Sequence, residues 1–435
     1  MIRSRGRLRF FIKFRVVAAL RSLLLFLVSK KVNKNGWENR MLIVNTDALG
    51  DLVMFTSVLK HYKSCFPQKK LYLLVCVAFG VDKESFGNFV DEIIILDHRK
   101  FGLNPLYASA FINGLRRTGF ATVINHTPNA AELPSRIIAV SIGAKEVVGY
   151  EGPGIQFRRP LDSSEKESMQ FIRKAIFPKY SNLIGSIDKD TTEDGRPRHY
   201  IRHQMAIYEG FSKCSSSDYS TFLEVNPAAK FSTGALLRSK GIVAGSYCVL
   251  AVGASSPQRR WNIERFVGVA KEIDSKNIPM VLVGTKSEIP LAGNFKNLFR
   301  GRLVDLVGSL SLPQLIALIN ESLFVFTNDT APVHIAVALK KPSLCVVGGA
   351  HLGILSLYGY PNLNVWVYDR NAPCLFDNWQ CAGRVPEDAP APCIASVKAS
   401  TVIDALNNLL GNIQKLAKVL KSASRKDFQI EFEKI

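Results

Sequence analysis

The sequence predicts an α/β protein built from two doubly wound, Rossmann-like domains that face each other across a central cleft. Three observations carry that prediction. The chain has 435 residues, too long for one ordinary domain and enough for two of similar size. It holds two series of short apolar runs, each alternating with helical stretches. A charged, turn-rich stretch over 151–231 separates the two series.

In the first series the runs 41–46 (MLIVNT), 71–77 (LYLLVCV), 92–96 (EIIIL), 121–125 (ATVIN) and 146–149 (EVVG) read as buried strands, with helices near 52–64 and 106–118 between them. Near-continuous apolar strands separated by helices indicate a parallel sheet covered on both faces. The second series starts at Tyr247. Its strands are 247–252 (YCVLAV), 279–283 (PMVLV), 323–327 (LFVFT), 342–347 (PSLCVV) and 363–367 (LNVWV), with helices near 262–275, 312–320 and 332–339. The intervening stretch is expected to hold a helix near 199–211 and the interdomain linker. The resulting division is a basic apolar segment at 1–36, a first domain at 37–195, a linker and crossover helix at 196–240, a second domain at 241–410 and a tail at 411–435. Domains of this kind present their ligand loops at the carboxyl ends of the strands, here around one cleft.

A hydrophobic fraction of 47% and a charged fraction of 21% are globular composition and exclude wholesale disorder. The formal net charge is +20, and residues 1–40 hold eleven Lys or Arg against one acid, Glu38. All but Arg21 of those cations flank Val16–Val28 (VVAALRSLLLFLV), which is short of the ~20 residues that span a bilayer. The run ends in Ser29-Lys30-Lys31, without a small-x-small cleavage pattern. The expectation is a helix that dips into an anionic membrane surface through residues 1–34, with a disordered basic tail as the plainer alternative. Of eight cysteines, Cys65, Cys76, Cys214, Cys248 and Cys345 are isolated and read as small core hydrophobes of a reducing compartment. Cys374, Cys381 and Cys393 cluster, but three thiols without paired C-x2-C spacing read as a structural loop without a metal.

Four segments carry chemistry, and each follows an apolar strand. In Asn45-Thr46-Asp47-Ala48-Leu49-Gly50-Asp51, Gly50 permits a tight turn and Asp51 starts a helix on the cleft side; from position alone a plain helix cap is the favoured reading. In Ala251–Trp261 (AVGASSPQRRW), hydroxyls and backbone N–H groups precede two cations, a composition that binds phosphate oxygens or makes an ordinary surface loop. Glu288, after Gly284-Thr285, can accept from a ribose or sit solvated on the surface. In Thr327–His334 (TNDTAPVH), Pro332 fits a first helical turn, whose free N–H groups form an anion site; His334 faces that anion or is a half-buried histidine. Neither GxGxxG nor GxxxxGK[ST] occurs, which weighs against dinucleotide oxidoreductases and P-loop enzymes.

Together these segments resemble glycosyltransferase family 9, the ADP-heptose:lipopolysaccharide heptosyltransferases, over about Met41 to Leu410. The family's D-x-x-G-D signature appears as Asp47-Ala48-Leu49-Gly50-Asp51. Its P-G-A-S-x-x-K-R-W loop appears as VGASSPQRRW, and its G-N-D-T-G-x-x-H-x-A-A-A-x-G-x-P signature as TNDTAPVHIAVALKKP. The resemblance implies a GT-B fold with the acceptor domain first and the donor domain second. It implies Asp51 as general base, and Ser255, Ser256 and Arg259 as donor-diphosphate contacts. Glu288 would hold the ribose and Leu310 would lie near the adenine. Asp329 would contact the transferred sugar, Thr330 and Ala331 would offer N–H groups to phosphate, and His334 would sit alongside. The chain departs from the family at Arg259 for Lys, at Ala251-Val252 for His-Pro, and at Ala331 for Gly; the first keeps the charge with a different shape.

The implied activity is inverting transfer of a heptose or related sugar from an ADP-sugar to a lipopolysaccharide core or related envelope glycan. The place is the inner face of a bacterial cytoplasmic membrane, and no metal or other cofactor is expected. The expected partners are a nucleotide-diphosphate sugar, a lipid-linked glycan and an anionic membrane surface. Nucleic acid is not expected, since stacking aromatics and recognised motifs are lacking. A non-catalytic nucleotide-sugar-binding or scaffold role in a cell-envelope glycan pathway is the alternative; retention of both Asp51 and Asp329 argues for catalysis.

Overall fold

The computed structural model describes residues 35–76, 80–127, 133–151, 182–186, 199–376, 385–386 and 388–422. The basic segment at 1–34, most of the stretch between 151 and 199, and Cys381 lie outside the described residues. Among the described residues no helix is long and apolar enough to cross a membrane.

The N-terminal lobe runs β1 (Arg40–Val44), α1 (Leu49–Cys65), β2 (Lys70–Cys76), β3 (Glu92–Leu96), α2 (His98–Leu103), α3 (Pro105–Thr118), β4 (Thr122–Asn125), α4 (Leu133–Ser141), β5 (Glu146–Glu151) and β6 (Asn182–Ser186). After α5 (Tyr200–Ser212) and α6 (Pro227–Ser239), the C-terminal lobe runs β7 (Cys248–Ala251), α7 (Ile263–Ser275), β8 (Met280–Leu282), α8 (Ile289–Leu298), β9 (Leu303–Asp305), α9 (Leu312–Asn320), β10 (Phe324–Asn328), α10 (Ala331–Ala338), β11 (Ser343–Val346), β12 (Asn364–Val367), α11 (Pro392–Ala395) and α12 (Ala399–Ser422). The stretch from 411 that the sequence reading sets aside as a tail is helical up to Ser422.

Each lobe holds a six-stranded sheet, in the orders β3-β2-β1-β4-β5-β6 and β12-β11-β10-β7-β8-β9. All the strand pairs are parallel. Counted within its own lobe, each order is 3-2-1-4-5-6, so the order reverses between β1 and β4 and between β7 and β10. Those two switch points are where a doubly wound sheet opens a crevice. The apolar runs become these strands because both sheet faces are covered. Leu42 and Val44 face one N-terminal cluster and Met41 and Ile43 the other, while Leu250 and Val249 divide in the same way in the C-terminal lobe.

The lobes meet through α1. Val53 belongs to the apolar cluster that includes Ile335 and Ala336 of α10, and Met54 packs with Tyr200, Ile354 and Leu355.

Three readings change. Two strands, β6 and β9, lie where the sequence shows no clear apolar run. β9 is three residues long and only partly buried at a sheet edge, and β6 is an edge strand within the charged, turn-rich stretch 151–231. Cys65 and Cys214 are not isolated core thiols: they form a disulfide across a sequence separation of 149. α1 and α5 pack side by side, which brings the end of one to the end of the other.

Candidate functional site

Every segment singled out above ends up at the carboxyl edge of a sheet, because each directly follows a parallel strand. Asp51 occupies the third position of α1, and its Oδ2 accepts from the Ala48 N–H at 3.2 Å. It is thus a helix-capping carboxylate, and it is half-buried. Gly50 beside it is needed for space. A Cβ there would stand 2.6 Å from Cδ2 of His334, so the start of α1 lies directly against α10 of the other lobe.

His334 is buried at 4% exposure. Its Nδ1 is 2.8 Å from the Tyr358 hydroxyl and its Nε2 is 3.5 Å from Oδ1 of Asp329. Asp329 is buried at 3% exposure. Burial first, and then the charges of Asp329 and Asp51, hold the Tyr358 hydroxyl proton well above the usual tyrosine range. Asp51, next to Gly50 at the start of α1, and Asp329, after β10, thus lie on either side of His334 and belong to opposite lobes.

Arg259 lies beside Asp329. Its Nη1 donates to the Asp329 carbonyl at 3.4 Å and its Nη2 donates to the Ser255 hydroxyl. Gln258, Arg259, Asp329, Gly348, Ala350 and Cys393 line a concavity there. Ser256 precedes the turn Pro257–Arg259. The loop is held by Asn328, fully buried at the end of β10. Its Nδ2 donates to the carbonyls of Val252 at 2.8 Å and Gly253 at 3.1 Å, and its Oδ1 accepts from the Trp261 N–H at 2.9 Å. One side chain thus joins both ends of the loop to the strand that leads into Asp329. Thr330 precedes α10, Ala331 and Pro332 open it, and both Thr330 and Ala331 are partly exposed. The first N–H groups of that helix have no intrahelical partner, and they sit beside Arg259.

Glu288 is drawn over Gly253: a Cβ on that glycine would stand 1.9 Å from Oε1. Its Oε2 accepts from the Thr285 N–H at 2.7 Å and from the Thr285 hydroxyl at 2.9 Å. Leu310 is half-buried against the cluster between β7, β8 and α9. Its loop is tied to the Glu288 turn by the Gly308 N–H donating to the Gly284 carbonyl at 2.8 Å. Arg259, Glu288 and Leu310 thus follow one edge of the sheet, from β7 through β8 to β9.

Sequence reasoning assigned no part to three residues of this region. Asn328 stood within a quoted motif; a polar residue closing an apolar strand was the available signal. Tyr358 follows no periodic pattern. Tyr200, 1% exposed, donates to Oδ2 of Asp47 at 2.9 Å and fixes the turn before Asp51 from α5. The Cys374/Cys393 arms flank Gly348 and Gly349; among the described residues no three His, Cys, Asp or Glu side chains group to hold a metal.

Two doubly wound lobes of parallel strands, each with the order 3-2-1-4-5-6, make the GT-B fold. Residues 195–378 match the family model of glycosyltransferase family 9 (heptosyltransferase). The chain therefore carries the family 9 segment that its motifs resemble, and it is a glycosyltransferase.

Solved structures show the same fold. A glycosyl transferase family 9 protein from Veillonella parvula aligns with a TM-score of 0.64 at 17% identity, over 86% of this chain and 98% of that one. The Escherichia coli ADP-heptose lps heptosyltransferase II aligns at 0.61 with 14% identity, over 86% and 99%. The E. coli heptosyltransferase WaaC with ADP aligns at 0.56 with 18% identity, over 85% and 99%. No curated protein matches the chain.

Proposed function

We propose that this chain transfers a heptose or related sugar, with inversion, from an ADP-sugar to a lipopolysaccharide core or related envelope glycan. The observation that carries the reading is the meeting of the two lobes at His334, which packs against Gly50 beside Asp51 and faces Asp329 through Nε2. In the reaction, the acceptor oxygen attacks the anomeric carbon and the bond from that carbon to the diphosphate oxygen breaks. The acceptor proton passes to Asp51. Ser255, Ser256, Arg259 and the amides at Thr330 and Ala331 receive the negative charge that develops on the diphosphate. With that charge so met, the reading requires no metal. Glu288 receives the ribose, Leu310 borders the adenine, and Asp329 with His334 holds the transferred sugar. The solved relative that carries ADP supports adenine as the base. Arg259 keeps the cation at the position where the family has Lys, and its forked guanidinium suits a diphosphate.

The test is a screen of ADP-, UDP- and GDP-sugars, scored by binding and by release of the nucleoside diphosphate. The reading expects an ADP-sugar to lead on both; selective turnover of a UDP- or GDP-sugar would overturn the donor assignment. We further propose that residues 1–34 seat the enzyme on the anionic inner face of the cytoplasmic membrane, where a lipid-linked acceptor is presented. Vesicle pelleting tests this: a chain lacking those residues should stay in the supernatant, and undiminished pelleting would refute it.

A further inference from the structure

The segment before β12 spends backbone strain to place one side chain. Leu357 adopts φ 64, a left-handed conformation that is strained for a non-glycine residue. Gly359 follows at φ 98, where a Cβ would stand 2.7 Å from Oδ1 of Asn364. Between them, Tyr358 is clamped from behind: the Trp366 indole N–H donates to its carbonyl at 3.0 Å. The Trp366 ring lies 5.8 Å from the Tyr358 ring. In front, the Tyr358 ring stacks on His334 at 5.8 Å with an interplanar angle of 16°. The tyrosine hydroxyl meets His334 Nδ1 at 2.8 Å. The other ring nitrogen, Nε2, faces the Asp329 carboxylate.

We propose that Tyr358 is a positioning residue of the donor site, whose hydroxyl donates to Nδ1 of His334 and so fixes the Nε2–H tautomer that faces Asp329. The inference rests on the donor-site reading only for its effect on ligand binding. The carboxylate at Nε2 favours the proton on that nitrogen, which leaves Nδ1 as an acceptor and the tyrosine as donor. The tyrosine is suited to this because burial keeps its own proton in place. The titratable groups around the pair are Asp329 from the end of β10, Asp51 from α1, His199 from the start of α5 and Cys345 from β11. Of these, the Asp329 carboxylate is the one that stands at Nε2. The result is a chain of contacts from the edge strand through Trp366, Tyr358 and His334 to Asp329. It holds the carboxylate toward the crevice in one orientation without any of the first three residues needing to touch the reacting atoms.

The test uses the full chain, histidine-labelled with 15N, with ADP as the probe. The His334 signal is assigned among the seven histidines by its loss in His334→Gln. Wild type should show the Nε2–H tautomer alone. Tyr358→Phe should show mixed tautomers and an ADP affinity weaker by about three- to tenfold, the loss of one hydrogen bond, with a melting temperature lower by only a few degrees. A wild-type Nδ1–H tautomer overturns the proposal, as does a Phe variant with the wild-type spectrum and affinity. If Tyr358→Phe does not fold, the wild-type spectrum decides alone. Failure of wild type to bind ADP would strike the donor assignment, while the tautomer would still decide this proposal.

Discussion

Replacing Asn328 with Ala separates the loop that carries Ser255, Ser256 and Arg259 from the strand that carries Asp329. The side chain is fully buried and makes three hydrogen bonds to backbone groups of Val252, Gly253 and Trp261, all of them buried residues. Truncation leaves two carbonyls and one N–H without that partner. Each stranded buried group costs about 1–3 kcal/mol, so the expected loss is about 3–9 kcal/mol. For a lobe of this size, each kcal/mol lowers the melting temperature by about 2–4 °C, which places the shift at ~6 °C or more. Calorimetry reads that shift, and titration with ADP reads the second consequence, an affinity at least ~10-fold weaker from a loosened loop. Asn328→Asp separates the contributions. It keeps an acceptor for the Trp261 N–H but sets a carboxylate against two carbonyls, so it should be as damaging at neutral pH and partly relieved in acid. An Asn328→Ala protein that melts within about 2 °C of wild type and binds ADP equally well would refute the clamp.

The same geometry has two further consequences. Arg259→Ala should weaken ADP binding by about 10- to 100-fold, the loss of a charge-assisted contact to phosphate, with little change in melting temperature because the guanidinium is only partly buried. Unchanged affinity by calorimetric titration would remove Arg259 from the diphosphate site. The second concerns pH. Burial pushes His126 down to about 3 and, with His334 and Arg202 adding their charge, His199 down to about 4. Both are neutral in the fold and protonate near 6.5 in the unfolded chain. Their contribution is therefore complete above that pH and is lost as pH falls toward 4, at about 1.4 kcal/mol per pH unit for each. The melting temperature should fall steadily between pH 7 and 5, and a flat profile would contradict the assignment.

The strands that form the middle of each sheet are legible because burial on both faces leaves an unbroken apolar run, as in Met41–Val44 or Phe324–Phe326. Edge strands are not, since β9 needs no such run to pair on one side only. The place of the candidate site was legible where it depends on the residues directly after a strand: Asp51, Arg259, Glu288, Asp329 and His334 each stand behind an apolar run, although the roles proposed for them come from the family resemblance and not from that position. It was illegible where a partner lies far along the chain. Asn328 finds its partners 67 to 76 positions away, and the Cys65–Cys214 pair spans 149. Tyr358 owes its place to a left-handed backbone at Leu357, a residue type that gives no sign of one.

The central claim is that Asp51 takes the acceptor proton in a crevice where the other lobe holds the donor. Asp51→Asn keeps an oxygen that can accept from the Ala48 N–H, so the start of α1 and the fit of Gly50 against His334 should persist. Turnover should drop by about 100-fold or more while ADP affinity stays within about twofold of wild type. Turnover by the Asn protein within a few-fold of wild type, in the same assay and with the same donor, would contradict the account.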